Sequence, residues 1–404
     1  MRWTDAQQSA IDAPRPGQLP SQTILVSAAA GSGKTAVLVE RMIQRLKRCE
    51  LSIQELMVVT FTKAAAAEMK ARIGVKLAEE FQATGDEYLE EQLNMLPSAH
   101  ISTLHSFCQW VIRSYFYKLD IDPSFTIGNE GELALMRYEV LDAILLEAYE
   151  QGLFNIYDVS DMFSTERSDQ VLRETVFQIY NFALAQSQPM RWLDAVYDTY
   201  QSALHQTLRE TTWGALFWEE QQRQIEYLLE RYEEAQRLAT LGNGFDKWME
   251  KVSELQTLLQ AMAKADTWDA MHIGVVGIGG FSFPVLRATK AMNESDPAIL
   301  SEIKAILAEG KDILQAMPKG VFAITEEDWR EQMEYLVPLV RGIIDLVKRF
   351  HTDFQQAKQE AGMIDFSDLE HLCLALLVDP ESTRDLKPSD VALELQETFK
   401  EVMV

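Results

Sequence analysis

AAAGSGKT, residues 28–35, lies between the apolar run Ile24-Leu25-Val26 and a second one, Val37-Leu38-Val39. A short apolar strand, a glycine-containing loop and a helix, in that order, make the pattern of a phosphate-binding loop. In such a loop successive backbone N–H groups point at phosphate oxygens. Gly31 and Gly33 permit the backbone angles and the close approach that this requires. Ala28, Ala29, Ala30, Gly31, Ser32 and Gly33 are expected to form the cradle, Lys34 to reach the β- and γ-phosphates, and Thr35 to give its hydroxyl to Mg2+. A helix beginning at Gly33 adds partial positive charge at its N-terminus. The first glycine of the G-x4-GK[ST] pattern is replaced by Ala28. A plain strand-to-helix turn containing glycine is the alternative.

Outward from the loop, the first 125 residues alternate strand and helix. The pattern predicts a strand over Gln22 to Ser27, a helix over 33–48, a strand at Leu56-Met57-Val58-Val59, an alanine-rich helix from Ala64 to Phe81, a strand over Ala99 to Thr103 and a helix from Leu104 to Tyr117. Such alternation implies a parallel sheet. From about Glu130 to Phe350 the texture is helical, acidic and rich in Trp, Gln, Glu and Leu. GVVGIGGF, residues 274–281, interrupts it and reads as a loop. Residues 351–400 return to helix, and Glu401-Val-Met-Val404 reads as the start of a strand.

The 404 residues suffice for two or three domains, and 47% are apolar, enough for a sizeable core. The N-terminus lacks the apolar segment of a signal peptide, and no run of about eighteen apolar residues suggests a membrane span. Three cysteines, Cys49, Cys108 and Cys373, form no CxxC, which fits a reducing cytoplasm and argues against a structural zinc. The net charge of −25 argues against nucleic-acid binding as a global property, although a local groove can still be basic.

Several other stretches have chemical uses. The amide of Gln7, in Trp3-Thr-Asp-Ala-Gln7, can donate and accept at once, as reading an adenine edge requires; the alternative is a polar residue on an N-terminal helix. Thr60-Phe61-Thr62 falls where a strand ends and a loop begins, the usual site location in α/β sheets. An exposed Phe61 there can stack a base while Thr60 and Thr62 bond phosphates; alternatively Phe61 is core and Thr62 a helix cap. His105 follows Thr103 and opens a helix, as a packing residue or a surface one. Asp365 and Asp368 could pair at a metal, but Ser367-Asp-Leu-Glu370 has the spacing of a capping box before an apolar helix, and that reading is preferred.

Taken in order, Trp3–Ile11, the loop, Val58–Ile73 and Ile101–Cys108 resemble the Q motif and motifs I, Ia and Ib of superfamily 1 helicases of the UvrD/Rep/RecB type. Within that group the chain most resembles the A subunits of the bacterial AddAB helicase–nucleases, the AddA type. Gly362-Met-Ile-Asp365-Phe-Ser-Asp368-Leu-Glu-His371 resembles the segment ahead of motif II. After Thr62 the chain has Lys63 and Ala64 where the family has Asn and Lys.

The resemblance implies an α/β fold: a P-loop NTPase (RecA-like) parallel sheet with a large all-helical insertion domain. Residues 1–125 would begin the motor domain, 126–350 would be the insertion, and 351–404 would return to the motor. It further implies ATP and Mg2+ as cofactors, with Lys34 and Thr35 catalytic and Gln7 selecting adenine. Thr60, Phe61, Thr62, Thr103 and His105 would line a DNA track. The implied partners are DNA, as single strand and duplex ends, and a second helicase–nuclease subunit of the AddB type, working in the cytoplasm in double-strand-break repair and recombination.

In that family an acidic DExxD motif follows residues like Phe399-Lys-Glu-Val-Met-Val404. The chain stops where that motif would begin. It is therefore expected to be an N-terminal piece that hydrolyses ATP barely or not at all alone. A nucleotide-binding scaffold without hydrolysis and a P-loop metabolite kinase are the rival readings.

Overall fold

A computed structural model describes residues 3–13, 24–29, 31–119, 121–163, 168–281, 283, 288–295, 297–382 and 386–404. The chain divides into two compact units, Met1–Val140 with Thr352–Val404, and Leu141–His351.

The first unit is α/β. It holds the helices α1 (Asp5–Asp12), α2 (Lys34–Lys47), α3 (Lys63–Thr84), α4 (Glu87–Met95) and α5 (Leu104–Ser114) and the strands β1 (Leu56–Thr60) and β2 (His100–Thr103). After a two-residue strand β3 (Thr126–Ile127), the helix α6 (Glu130–Gln151) crosses the unit boundary in sequence. Beyond the second unit come β4 (Met363–Ile364), a helix at Phe366–Leu377, a helix at Asp390–Thr398 and β5 (Glu401–Met403).

The β2-β1-β5 sheet is parallel throughout, with Val58 opposite Ile101 and Met57 opposite Val402. The β1 sequence LMVVT suits the central position, because Leu56 and Val58 are fully buried. Ile43 and Leu46 of α2 and Ile73 and Leu77 of α3 join them in one core. A second core lies between α5 and the helix at Phe366–Leu377, built on Phe107, Val111, Ile112, Leu369 and Leu376. It also brings together Cys108 and Cys373. That contact and burial push the Cys373 thiol above its usual range.

The expected strand over 22–27 is not seen. Residues 24–29 have no regular structure, and Gln22 and Thr23 lie outside the described residues. A strand requires a ladder partner, and among the described residues nothing pairs with this run, which leaves Leu25 90% exposed. The helix expected to reach Tyr117 ends at Ser114 and passes into a 3-10 turn at Phe116–Lys118.

Among its described residues the second unit is helical. Its elements are α7 (Ile156–Phe163), α8 (Gln170–Leu184), α9 (Pro189–Ala203), α10 (Thr212–Ala239), α11 (Asp246–Ala263), α12 (Trp268–Gly279), α13 (Lys290–Ser295), α14 (Pro297–Ala316) and α15 (Glu326–Glu360), the last also crossing the boundary. Its main core joins Ile225 and Tyr232 of α10, Leu259 and Met262 of α11, Val275 and Ile278 of α12, and Ile303 and Leu314 of α14.

Here the loop expected at 274–281 is corrected: residues 274–279 are the second half of α12. Trp268, Met271, Val275 and Ile278 recur at helical spacing on its buried side. A Cβ on Gly274 would lie 2.2 Å from Met262 Cγ, so the glycine permits close approach of α11 rather than a turn. Gly274→Ala should cost about 1–3 kcal/mol through overpacking, read as a lower urea midpoint with an unchanged slope.

Candidate nucleotide and nucleic-acid site

Gly31 (φ 78°) and Gly33 (φ 84°) both adopt left-handed backbone, and Gly33 is the N-cap of α2 without any side-chain cap. The first N–H groups of α2 are therefore left to a ligand or solvent. Lys34 Nζ sits back over the loop and donates to the carbonyls of Ala28 (2.8 Å) and Ala29 (3.4 Å). Ser32 N–H bonds Ala29 O at 3.3 Å, which closes the turn. Thr35 is exposed in the first turn of α2, and Ala30 lies outside the described residues. A left-handed glycine pair, a lysine over the loop and a helix start with free donors fit a triphosphate, and Thr35 would offer the hydroxyl for its Mg2+.

Gln7 comes to this loop from α1. Thr4 caps that helix and Gln7 completes the capping box, accepting the Thr4 N–H at its Oε1 (3.0 Å). Its Nε2 donates to Ser32 O at 3.1 Å, across 25 residues of sequence. Gln7 is a half-buried residue of the N-terminal helix, and its amide also docks on the loop.

The other candidates gather at the C-terminal edge of the sheet. Thr60 and Thr103 are register partners at the ends of β1 and β2, so the residues after each strand leave from the same edge. Phe61 is fully exposed, which rules out the core alternative. Thr62 is the N-cap of α3, accepting from Ala65 N–H at 3.1 Å, and Thr60 Oγ1 donates to Thr62 O at 3.0 Å. Thr103 is buried; its hydroxyl bonds the Ser106 hydroxyl at 2.8 Å and accepts the Ser106 N–H at 3.3 Å in capping α5.

His105 lies beside two residues of the 362–371 stretch that were not candidates for the site. Its Nε2 is 3.1 Å from Glu370 Oε1, and its ring is 4.9 Å from that of Phe366, itself half-exposed. Only helical spacing on a distant segment could have signalled that pairing.

The two aspartates near this edge have another partner. Asp365 and Asp368 form the capping box, two residues ahead of the Ser367–Glu370 spacing expected from sequence. Lys358 Nζ bonds both, at 2.9 Å and 2.5 Å. Burial raises the Asp365 pKa, but the Lys358 ammonium, its hydrogen bond, the Asp368 N–H and Arg137 together outweigh burial and hold the carboxyl below its usual value.

The acidity of the chain is unevenly spread. Residues 1–119 hold 13 Lys and Arg against 12 Asp and Glu, so the surplus of acid lies after them. Among the described residues no helix is long and apolar enough to cross a membrane.

Residues 3–404 match the UvrD/REP helicase N-terminal domain. The chain is also similar to the A-type subunits of ATP-dependent helicase/nucleases. It is 38% identical over 416 residues to the one from Geobacillus kaustophilus. It is 38% identical over 412 residues to that of Geobacillus thermodenitrificans, and 34% over 412 residues to that of Oceanobacillus iheyensis. Each match covers 100% of this chain and 32% of the relative, so the chain spans about a third of their length.

Proposed function

Because the chain belongs to the UvrD/REP helicase N-terminal domain family, we propose that it carries the ATP-binding part of a DNA helicase motor. The observation that carries this reading is the loop itself: two left-handed glycines, Lys34 over the loop carbonyls, and Gln7 docked on Ser32. Lys34 would hold the triphosphate, Thr35 the Mg2+, and Gln7 the adenine edge. The α/β unit would be a RecA-like P-loop domain and the helical unit its insertion, as the 1–125, 126–350 and 351–404 division expects.

DNA would run along the C-terminal edge of the sheet, over Phe61, Thr62 and His105. Thr60, Thr62 and Thr103 would shape that edge, since the hydroxyls of all three serve the protein itself. The near-neutral charge of residues 1–119 leaves this edge open to a phosphate backbone. By analogy with relatives named as components of a helicase/nuclease, the whole assembly would pair this protein with a second subunit. It would act on DNA ends in recombinational repair.

The test of the track is Phe61→Ala, measured by anisotropy of a labelled single strand. Loss of one stacked base should weaken binding by about 1–3 kcal/mol. Unchanged affinity would remove Phe61 from the track.

A further inference from the structure

The short helix α1 is gripped at both ends. Near its start, Gln7 bonds the nucleotide loop. At its end, the carbonyls are bound by arginines of α2. Arg41 Nη1 donates to the carbonyls of Ala10 (3.0 Å), Ile11 (3.2 Å) and Ala13 (3.2 Å), and Arg45 Nη2 donates to Ala13 O (3.1 Å). Arg48 adds an exposed pair with Asp12 at 3.1 Å. The three arginines recur at i, i+4 and i+7, on one face of α2. The last carbonyls of a helix lack partners and carry partial negative charge, so guanidinium groups there satisfy both needs.

Two of these arginines are not ordinary surface residues. Arg41 is 7% exposed and Arg45 5%. Glu401 of β5 meets both, 2.7 Å from Arg41 Nε and 3.4 Å from Arg45 Nε, and Glu50 bonds Arg45 Nη1 at 2.6 Å. A buried ion group of this kind is weak grounds for stability, since apolar side chains of similar volume commonly pack as well. What it supplies is geometry: a rigid fork fixes the last turn of α1 against α2 and the sheet at once. The helix needs that help. It has eight residues, too few to persist alone, and its one buried side chain is Ile11.

We infer that Arg41 and Arg45 are positioning residues for nucleobase recognition: by clamping the C-terminus of α1 they hold Gln7 where it meets the loop. The inference rests on the nucleotide reading proposed above. Helix α2 thus serves both halves of the ligand, with Lys34 at its first residue for the phosphates and the arginines along its body for the base-reading helix.

The test compares the full 404-residue chain and its variants in calorimetric titrations with Mg-ATP, Mg-GTP and inorganic tripolyphosphate. Arg41→Lys keeps a cation beside Glu401 but loses the fork, and Arg45→Lys is read in parallel. The wild type should prefer ATP to GTP. Gln7→Ala should abolish that preference, and Arg41→Lys should reduce it roughly tenfold, the scale of one charge-assisted hydrogen bond. Tripolyphosphate affinity should stay unchanged in both. Arg41→Lys placed on Gln7→Ala should cause no further loss of preference, because both act through one residue.

The inference is overturned if the arginine variants keep the ATP preference, or if ATP and tripolyphosphate weaken together, as a general loss of structure would produce. A wild type that binds ATP and GTP alike overturns it as well and leaves the phosphate loop standing. A wild type that binds neither ATP nor tripolyphosphate overturns the nucleotide reading itself.

Discussion

Lys358→Ala should destabilise the sheet-containing unit by about 3–5 kcal/mol, the usual result of removing one partner from a buried ion pair. The side chain is 1% exposed, and its ammonium serves both Asp365 and Asp368 while lying 4.5 Å from the centre of the Phe354 ring. Gln355 supplies one more bond, to Asp368 at 2.7 Å, and Arg137 stands 3.8 Å from Asp365. Alanine would leave two buried carboxylates with one distant cation.

The pH dependence gives this prediction a sign. In the wild type the Asp365 pKa is held below its unfolded value of about 3.9, so its contribution is present above that pH and is lost as pH falls through the folded pKa. In the variant, burial acts without the ammonium and raises the folded pKa. Stability then falls as pH rises. Urea midpoints at pH 5 and pH 7 should therefore show the variant more stable at pH 5. A variant equally stable at both, and within about 1 kcal/mol of wild type, would contradict the account of this cluster.

Lys34→Ala should weaken ATP binding by about 10–150-fold, corresponding to the roughly 1.5–3 kcal/mol of hydrogen bonds to charged groups. The fold should be unaffected. Lys34 is exposed, it bonds carbonyls of its own loop, and alanine is the best helix former for the first turn of α2. Thermal midpoints within a degree or two of wild type, together with the weakened titration, would separate loss of the site from loss of structure.

Much of the α/β unit was legible because its signals are local. The strand at 56–60, the alanine-rich helix after it and the strand at 100–103 each announce themselves by pattern, and their alternation implies parallel pairing. The loop was legible for the same reason, since glycine spacing and the lysine that follows are adjacent in sequence. Pairing decided what pattern could not: Ile24-Leu25-Val26 has strand composition and, among the described residues, no ladder partner. Packing overrode local preference at Gly274, where a residue that ordinarily interrupts helices lets two of them approach.

Long-range polar contacts were invisible for a further reason. Lys358 and Arg41 look like surface residues of amphipathic helices, and only the fold places a carboxylate cluster or three carbonyls and Glu401 around them. Gln7 was readable as a candidate, but its contact with Ser32 was not.

The central claim is that residues 28–35, with Gln7, bind ATP. A calorimetric titration of the 404-residue chain with Mg-ATP tests it directly. The account predicts one saturable site that inorganic tripolyphosphate competes for and that Lys34→Ala weakens. A folded chain that gives no binding at millimolar Mg-ATP, or binding that Lys34→Ala leaves intact, would contradict it.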